Sequence, residues 1–388
     1  MTATTARLPR RRGASIRRGQ AVSGWLFTAP VLILLGLFLL IPVLMAAWVS
    51  VSDWTGRGSP LSPDVHFIGA ANYGQVLWAG GLSERDFGTA LKNNFWYVIL
   101  VVPIQTIVAL ALALAVNRRM LRGRGFFRTA YYFPSVTSSV AITVLWLFLF
   151  STTGAVNAVI AWFGVKGPNW FNEPAGIFHF GAVNGPVALE SNTLLGVSWW
   201  DWLGGPSVAM TAFIILAVFT TGGTFMLLFL AALQNISADV EEAAMVDGAN
   251  AAQRFFRVTL PQLRPTLFTV ITLGLIGCWQ VFDQIYTGTR GNPSKTTLTP
   301  AYLSYTAAFN NQQWGQGAAI AFILFVIIII FTLIQRWVLS EKAVSKRRMG
   351  WITRAERSST AQSPKATGHV AIVGASRNGS GSPEEDDS

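Results

Sequence analysis

The sequence predicts an all-α, polytopic membrane protein with six transmembrane helices. Three observations predict it. The chain of 388 residues is 52% hydrophobic and only 12% charged, whereas a soluble chain carries about twice that charged fraction. The apolar residues fall into six runs, each long enough to cross a bilayer core, which takes roughly 20 residues as a helix. The basic residues between the runs concentrate on alternate sides, as the positive-inside rule requires. Helices are the expected form because backbone groups in lipid must be satisfied within the segment. The alternating pattern of a membrane β-barrel is absent.

Residues 1–22 form a basic tail with Arg7, Arg10, Arg11, Arg12, Arg17 and Arg18. Such an arm can serve nucleic acid. Here a span follows at once and the +11 net charge is distributed for a membrane, so no nucleic-acid partner is expected. The first run, 23–50, is too long for a signal peptide, and Trp48 and Trp54 stand where a small-residue cleavage site would be needed. The outer segment after it carries mixed charge: Asp53, Arg57, Asp64, Glu84, Arg85, Asp86 and Lys92. It holds Phe67-Ile68-Gly69-Ala70-Ala71-Asn72-Tyr73, a turn at Gly69 with Tyr73 as anchor, or part of an interfacial aromatic belt. The second run is 94–116, and Arg118, Arg119, Arg122, Arg124 and Arg128 fill the short loop behind it. Phe126-Phe127-Arg128-Thr129-Ala130-Tyr131-Tyr132-Phe133-Pro134 opens the third run, 129–150. It places an arginine at the headgroups, then aromatics, then a proline in the first turns, where its missing N–H costs little.

The second outer segment carries Lys166, Glu173, Glu190 and Asp201. Between 172 and 206 it holds Trp199, Trp200 and Trp202. That stretch reads equally as an amphipathic piece on the outer leaflet or as an external docking surface. The fourth, fifth and sixth runs are 208–233, 266–287 and 317–338. Lys342, Lys346, Arg347 and Arg348 follow the last. This charge pattern puts both termini in the cytoplasm; Arg290 and Lys295 in the third outer loop are too few to reverse it. Residues 23–340 are expected to be one membrane domain. Residues 341–388, ending in Glu384-Glu385-Asp386-Asp387, are expected to be mostly disordered. Cys278 is the only cysteine, so no intrachain disulfide or cysteine-based metal cluster is possible.

The polar loop at 234–265 is the most specific feature. Ser237 can cap a helix, and Asp239, Glu241 and Glu242 fall where negative charge suits the helix dipole. Ala243, Ala244, Met245 and Val246 continue that helix, and Gly248 ends it, because glycine tolerates a left-handed turn. A second helix is expected over 251–258, with Pro261 and Pro265 marking re-entry into the membrane. Arg254, Arg257 and Arg264 can meet anionic headgroups. Asp283 is essentially the one ionisable residue inside a span. Ion-coupled carriers commonly place several carboxylates or unwound helix pairs near the midplane, and their scarcity argues for a pore driven from outside.

The stretch Glu242-Ala243-Ala244, three residues, Gly248, nine residues, Val258, a spacer, then Leu260 and Pro261 resembles the EAA loop of bacterial ABC importer permeases. The Phe67–Tyr73 stretch, the Phe126-Phe127-Arg128 entry, and Phe282-Asp283 with Thr289-Arg290-Gly291-Asn292-Pro293 are similar to signatures of maltose-type carbohydrate permeases. Asn292 and Arg290 stand where that family has glycines, although Asn also tolerates positive φ. Tyr302, Tyr305, Phe309, Trp314 and Gly315 extend the likeness, which covers about 25–338.

The resemblance implies the type I importer permease fold in a bacterial inner membrane. It assigns ATPase coupling to Glu242, Ala243, Ala244, Asp247, Gly248, Leu260 and Pro261. It implies a second six-span permease, two ATPase subunits and an extracytoplasmic sugar-binding protein as partners. The chain has no Gly-x-x-x-x-Gly-Lys-Ser/Thr phosphate loop, so it is expected to be non-catalytic and to bind no cofactor, ATP and Mg being used by the partner ATPase. Thr221, Thr224 and Phe225 on span four, and Cys278, Trp279, Gln280 and Asp283 on span five, are candidates for the sugar path. Thr221, Gly222 and Gly223 read as well as helix packing. The other function class is an ATP-independent secondary transporter or channel.

Overall fold

The computed structural model describes residues 13–117, 123–179 and 186–339. The basic residues before Gly13, those at 118–122 and the tail beyond 339 lie outside them, and with them the disorder expected for that tail. Among the described residues five helices are long and apolar enough to cross a membrane, or six if one pair bent by 99° counts as a single span.

Span one is α1 (Gly13–Leu35), running through a π-helical turn (Gly36–Leu40) into α2 (Ile41–Ser50). None of its most apolar stretch is buried by the rest of the chain. Gly69 turns the chain at φ +63° into α3 (Ala71–Leu77). There Asn72 Nδ2 donates to Ser50 O and Ser52 O, each at 3.0 Å, and Tyr73 Oη lies 2.8 Å from Ser50 Oγ. The Asn-Tyr pair thus ties the end of α2 to α3. Gly315 completes the joint, since a side chain there would collide with Asn72.

Span two, α4, runs over Leu82–Asn117 and starts well outside the predicted run 94–116. The extension holds because Phe87 and Ala90 find apolar cover, Phe87 with Val76, Ala307 and Ile320. Span three is not continuous over 129–150. It divides into α5 (Arg124–Val136) and α6 (Ser139–Leu149) at the 99° bend. Pro134 lies in the last turn of α5 rather than in the first turns of a span. It cannot donate to the preceding turn, and the Thr137 hydroxyl takes the Phe133 carbonyl at 3.0 Å. Serine and threonine offering the backbone such alternatives favour a break, and Thr137 is extended.

The segment at 172–206 follows α7 (Ala155–Ala161) and, among its described residues, contains α8 (Val187–Ser191), a hairpin of two-residue strands β1 (Thr193–Leu194) and β2 (Val197–Ser198), and α9 (Trp199–Leu203). It packs on the outer part of span two: Trp96 Nε1 donates to Trp202 O at 2.7 Å, and the Trp96 and Phe178 rings are 5.2 Å apart.

Span four, α10 (Val208–Gln234), begins at a Ser207 cap that accepts from Met210 N at 3.0 Å. It is the most buried span and packs on α4 and α5; at Gly223 the backbone of Tyr131 and Tyr132 comes close. A polar loop with α11 (Ala238–Val246), α12 (Ala251–Arg254) and α13 (Leu260–Gln262) leads to span five.

Span five is broken too. Helix α14 (Arg264–Trp279) ends before Gln280, Val281 and Phe282, and α15 (Asp283–Thr287) resumes. Two distant side chains satisfy freed carbonyls: Asn94 Nδ2 donates to Trp279 O at 3.4 Å, and Thr299 Oγ1 to Val281 O at 3.0 Å. Unwound spans are therefore present, contrary to the expectation that they are scarce.

In the turn that follows, the positive φ falls on Arg290 (+53°), Gly291, Ser294 and Lys295, not on Asn292. Asn93 Nδ2 holds the turn by donating to Lys295 O and Leu298 O at 2.8 and 3.0 Å. Short α16 (Pro300–Tyr305) and a π-helical turn (Thr306–Asn310) lead to span six, α17 (Trp314–Leu339).

Candidate translocation cavity and coupling loop

The two broken spans face span four, and cavities open between them. One, of about 280 Å³, is walled by span two (Tyr97, Gln105), span four (Ala217, Thr221, Phe225) and the broken part of span five, from Gly274 to Gln284. A second, of about 290 Å³, is walled by Ser135, Thr137 and Ser139 at the break of span three and by Thr220, Thr221 and Thr224 on span four. They share Ser139, Thr221, Phe225 and Gln284, which makes them two lobes of one vestibule. Irregular backbone at membrane depth is tolerated where it lines a cavity in this way.

The walls are mostly apolar, with hydroxyls and amides set into them and little charge. Thr221 Oγ1 lies 2.7 Å from Gln105 Oε1, and Tyr97 Oη donates to Gln284 Oε1 at 3.3 Å. Asp283, exposed in the first turn of α15, is the one carboxylate on the wall. Hydroxyls and amides with the faces of Phe225 and Phe282 form a surface suited to a neutral polyol. Amides and hydroxyls hydrogen-bond its hydroxyls, and aromatic faces take its C–H edges.

The loop after span four stands in solvent. Ser237 Oγ accepts from Asp239 N at 3.3 Å and caps α11. Gly248, at φ +79°, ends the helix, with its N–H on Met245 O at 3.0 Å and Ala249 N on Ala244 O at 3.0 Å. Asn250 and Gln253 then form a reciprocal capping box, at 2.8 and 3.0 Å. The second helix does not stop at 258. It passes through a π-helical turn (Phe255–Thr259) into α13, in whose first turn Pro261 stands. Glu242, Ala243, Asp247 and Gly248 are exposed, while Ala244, Leu260 and Pro261 are half-buried. Val246 is 88% and Phe256 63% exposed.

The family described as "Binding-protein-dependent transport system inner membrane component" matches residues 105–342. This chain belongs to that family. It is 32% identical over 344 residues to the lactose transport system permease protein LacF of Rhizobium radiobacter, covering 88% of this chain and 99% of that one. It is 30% identical over 321 residues to the trehalose/maltose transport system permease protein MalF of Thermococcus litoralis, covering 83% and 95%. A chain of a bacterial ABC transporter involved in import of the polysaccharide alginate superposes with a TM-score of 0.61 at 20% identity, over 84% of this chain and 97% of that one. A chain of an alginate ABC transporter in complex with an alginate pentasaccharide-bound periplasmic protein gives 0.59 at 19%, over 85% and 98%. The architecture is thus that of an ABC importer permease.

Of the permease's expected path residues, Thr221, Thr224, Phe225, Cys278, Gln280 and Asp283 line the vestibule. Trp279 does not. It is 1% exposed and packs against Phe331 of span six, ring centroids 5.1 Å apart. Its position, last in α14, turns the ring into the core while Cys278 and Gln280 on either side reach the cavity. The sequence reading omitted Tyr97, Gln105, Ser139 and Gln284. Gln105 carried a usable signal, a polar side chain in the middle of the apolar run 94–116. Ser139 carried none, because its place on the wall depends on the break in span three.

Proposed function

We propose that this permease forms half of the translocation path of an ATP-driven sugar importer and couples that path to separate ATPase subunits. The observation that carries this is the vestibule and the exposed capped helix on one continuous piece of chain. Helix α10 runs from Thr221 to Gln234, roughly 20 Å at 1.5 Å per residue, and the loop begins there; α14 returns from the loop to Cys278. Displacing α11 would therefore push on two walls of the vestibule at once. In this reading an ATPase subunit takes Glu242, Ala243, Ala244, Asp247 and Gly248, with Leu260 and Pro261 at the root of the loop. ATP closes the ATPase pair, the vestibule opens outward and accepts sugar from a binding protein, and hydrolysis resets it.

The sugar class is supported by the named transport systems of the relatives and by the hydroxyls and amides set among aromatic and aliphatic groups on the wall. A second six-span permease is supported by span one, whose most apolar stretch is not buried among the described residues. Cytoplasmic termini follow from the basic residues flanking the spans.

The test is reconstitution of the permease with its partner permease, ATPase pair and binding protein in proteoliposomes. Uptake of a sugar that requires ATP is expected. Equal uptake without ATP, or uptake that follows a proton or sodium gradient, would instead support an ion-coupled carrier.

A further inference from the structure

Gln105 is a neutral amide sealed into the middle of span two. It is fully buried and lines the vestibule. Its carbonyl oxygen lies 2.7 Å from Thr221 Oγ1, which also lies 2.7 Å from Ala217 O. One hydroxyl carries one proton. Thr221 therefore either donates to Gln105, or donates to Ala217 and accepts from the amide turned over. Either way one end of the amide is anchored and the other is not. In the first arrangement the Nε2 end has no protein partner although it is buried.

A buried polar group without a partner is rare and carries its full desolvation cost. The geometry around it is permissive by construction. The free end points at Gly274, where any side chain would run into the amide. Gly274 and Gly277 together leave that face of span five bare beside the cavity. Helix packing alone explains the anchored end, since a Gln–Thr bond between spans two and four is ordinary in lipid. It does not explain an unpaired end held against a cavity wall.

We propose that Thr221 donates to Oε1 of Gln105, and that the Nε2 end so left free pairs with one hydroxyl of the transported sugar, its direction fixed by the bond to Thr221. Gln105 is then a specificity-determining residue on a span that carried none of the expected path residues. This rests on the sugar reading given above. A fixed amide discriminates because a ligand lacking the matching hydroxyl leaves it unpaired again, whereas an apolar wall barely distinguishes such ligands.

The experiment uses the complete permease–ATPase complex in nanodiscs, without binding protein, so that the membrane site alone is read. Wild-type proteoliposomes, supplied with the binding protein, are first screened for ATP-dependent uptake of lactose, maltose, trehalose and arabinotriose. Equilibrium binding of the sugar taken up best, and of its monodeoxy analogues, is then measured. In the wild type, one analogue is expected to bind about tenfold more weakly than the parent sugar. Gln105→Leu should weaken the parent by about the same factor and no longer distinguish it from that analogue. Gln105→Glu is isosteric, keeps an acceptor for Thr221 and replaces the free NH2 by oxygen. It should also lose the discrimination, and it carries the test if the leucine variant does not assemble. Wild-type ranking of the analogues by an assembled variant would overturn the proposal and leave the sugar reading intact. Absence of ATP-dependent uptake of every sugar by the wild type would overturn the sugar reading, and this proposal with it.

Discussion

Two neighbours on span five, Trp279 and Gln280, show how single residues divide between holding the bundle and lining its cavity. Trp279 is packed on Phe331 in the core, while Gln280 is exposed on the vestibule wall. Trp279→Ala should cost about 3–5 kcal/mol, as removal of a packed aromatic does. The expected reading is a lower unfolding temperature of the purified complex, with sugar affinity unchanged in the folded fraction. Gln280→Leu should do the reverse, weakening affinity by ~1–3 kcal/mol at unchanged unfolding temperature. A Trp279→Ala protein as stable as the wild type would contradict the core assignment. At the coupling loop Gly248 is the sensitive position. Its Cβ would meet nothing within 4 Å, yet its φ is +79°. Gly248→Ala therefore carries only backbone strain, about 1 kcal/mol, and should transport. Gly248→Pro loses the N–H bonded to Met245 and cannot reach positive φ. It should abolish ATP-dependent uptake while the protein still inserts. Normal uptake by the proline variant, with the ATPase still bound, would remove the loop from the coupling path.

Elements differ in how far local sequence decides them. Span four was legible to within a residue, 208–233 against Val208–Gln234, because its apolar run and its Ser207 cap lie in the same few residues. The coupling helix was legible for the same reason, with Ser237 as its local start signal and Gly248 as its stop. The break in span five was not, because Trp279, Val281 and Phe282 are as apolar as their surroundings. What permits it is distant: Asn94 and Thr299 supply the donors that the unwound carbonyls need. Trp279 was ambiguous at sequence level because an aromatic in a span serves core and path alike. The break in span three had a visible cause in Pro134 and Thr137, but the place of Pro134 depended on where the helix began. That break sets Ser135, Thr137 and Ser139 on the cavity wall. The triple change Pro134→Ala, Thr137→Ala and Ser138→Ala restores a donor and removes the competing hydroxyls. It should straighten the span and swing those residues away. Sugar-stimulated ATP hydrolysis should fall about tenfold or more, as expected for one or more lost polar contacts, with the ATPase still copurifying. Undiminished stimulation would mean that the bend is not required.

At the scale of the whole molecule the open questions are which way the bundle faces and what covers span one. The orientation can be read with cysteine chemistry, because Cys278 is the only cysteine and is buried. In a Cys278→Ser background, Asp201→Cys on the outer insertion should react with an impermeant maleimide in cells whose outer face is accessible. Asp239→Cys on the coupling loop should react only after permeabilisation. The opposite pattern would invert the topology. Span one poses the assembly question. Phe27, Leu34, Phe38 and Leu44 are all more than half exposed, and lipid alone could cover them. Lipid does not account for the coupling arithmetic, however. One chain presents one coupling loop, and an ATPase pair closing on nucleotide needs two. In the proposed assembly a second six-span subunit would supply the missing loop and a protein surface for span one together. A copy of this same chain could do so in principle. On the proposed reading the segment at 172–206 argues against it, because two copies would place two such segments on the face where a single binding protein is expected to dock. Native mass measurement of the coexpressed, sugar-transporting complex should therefore give one copy of this chain, one of a second permease and two ATPase subunits. A transporting complex containing two copies of this chain and no other permease would refute that assembly.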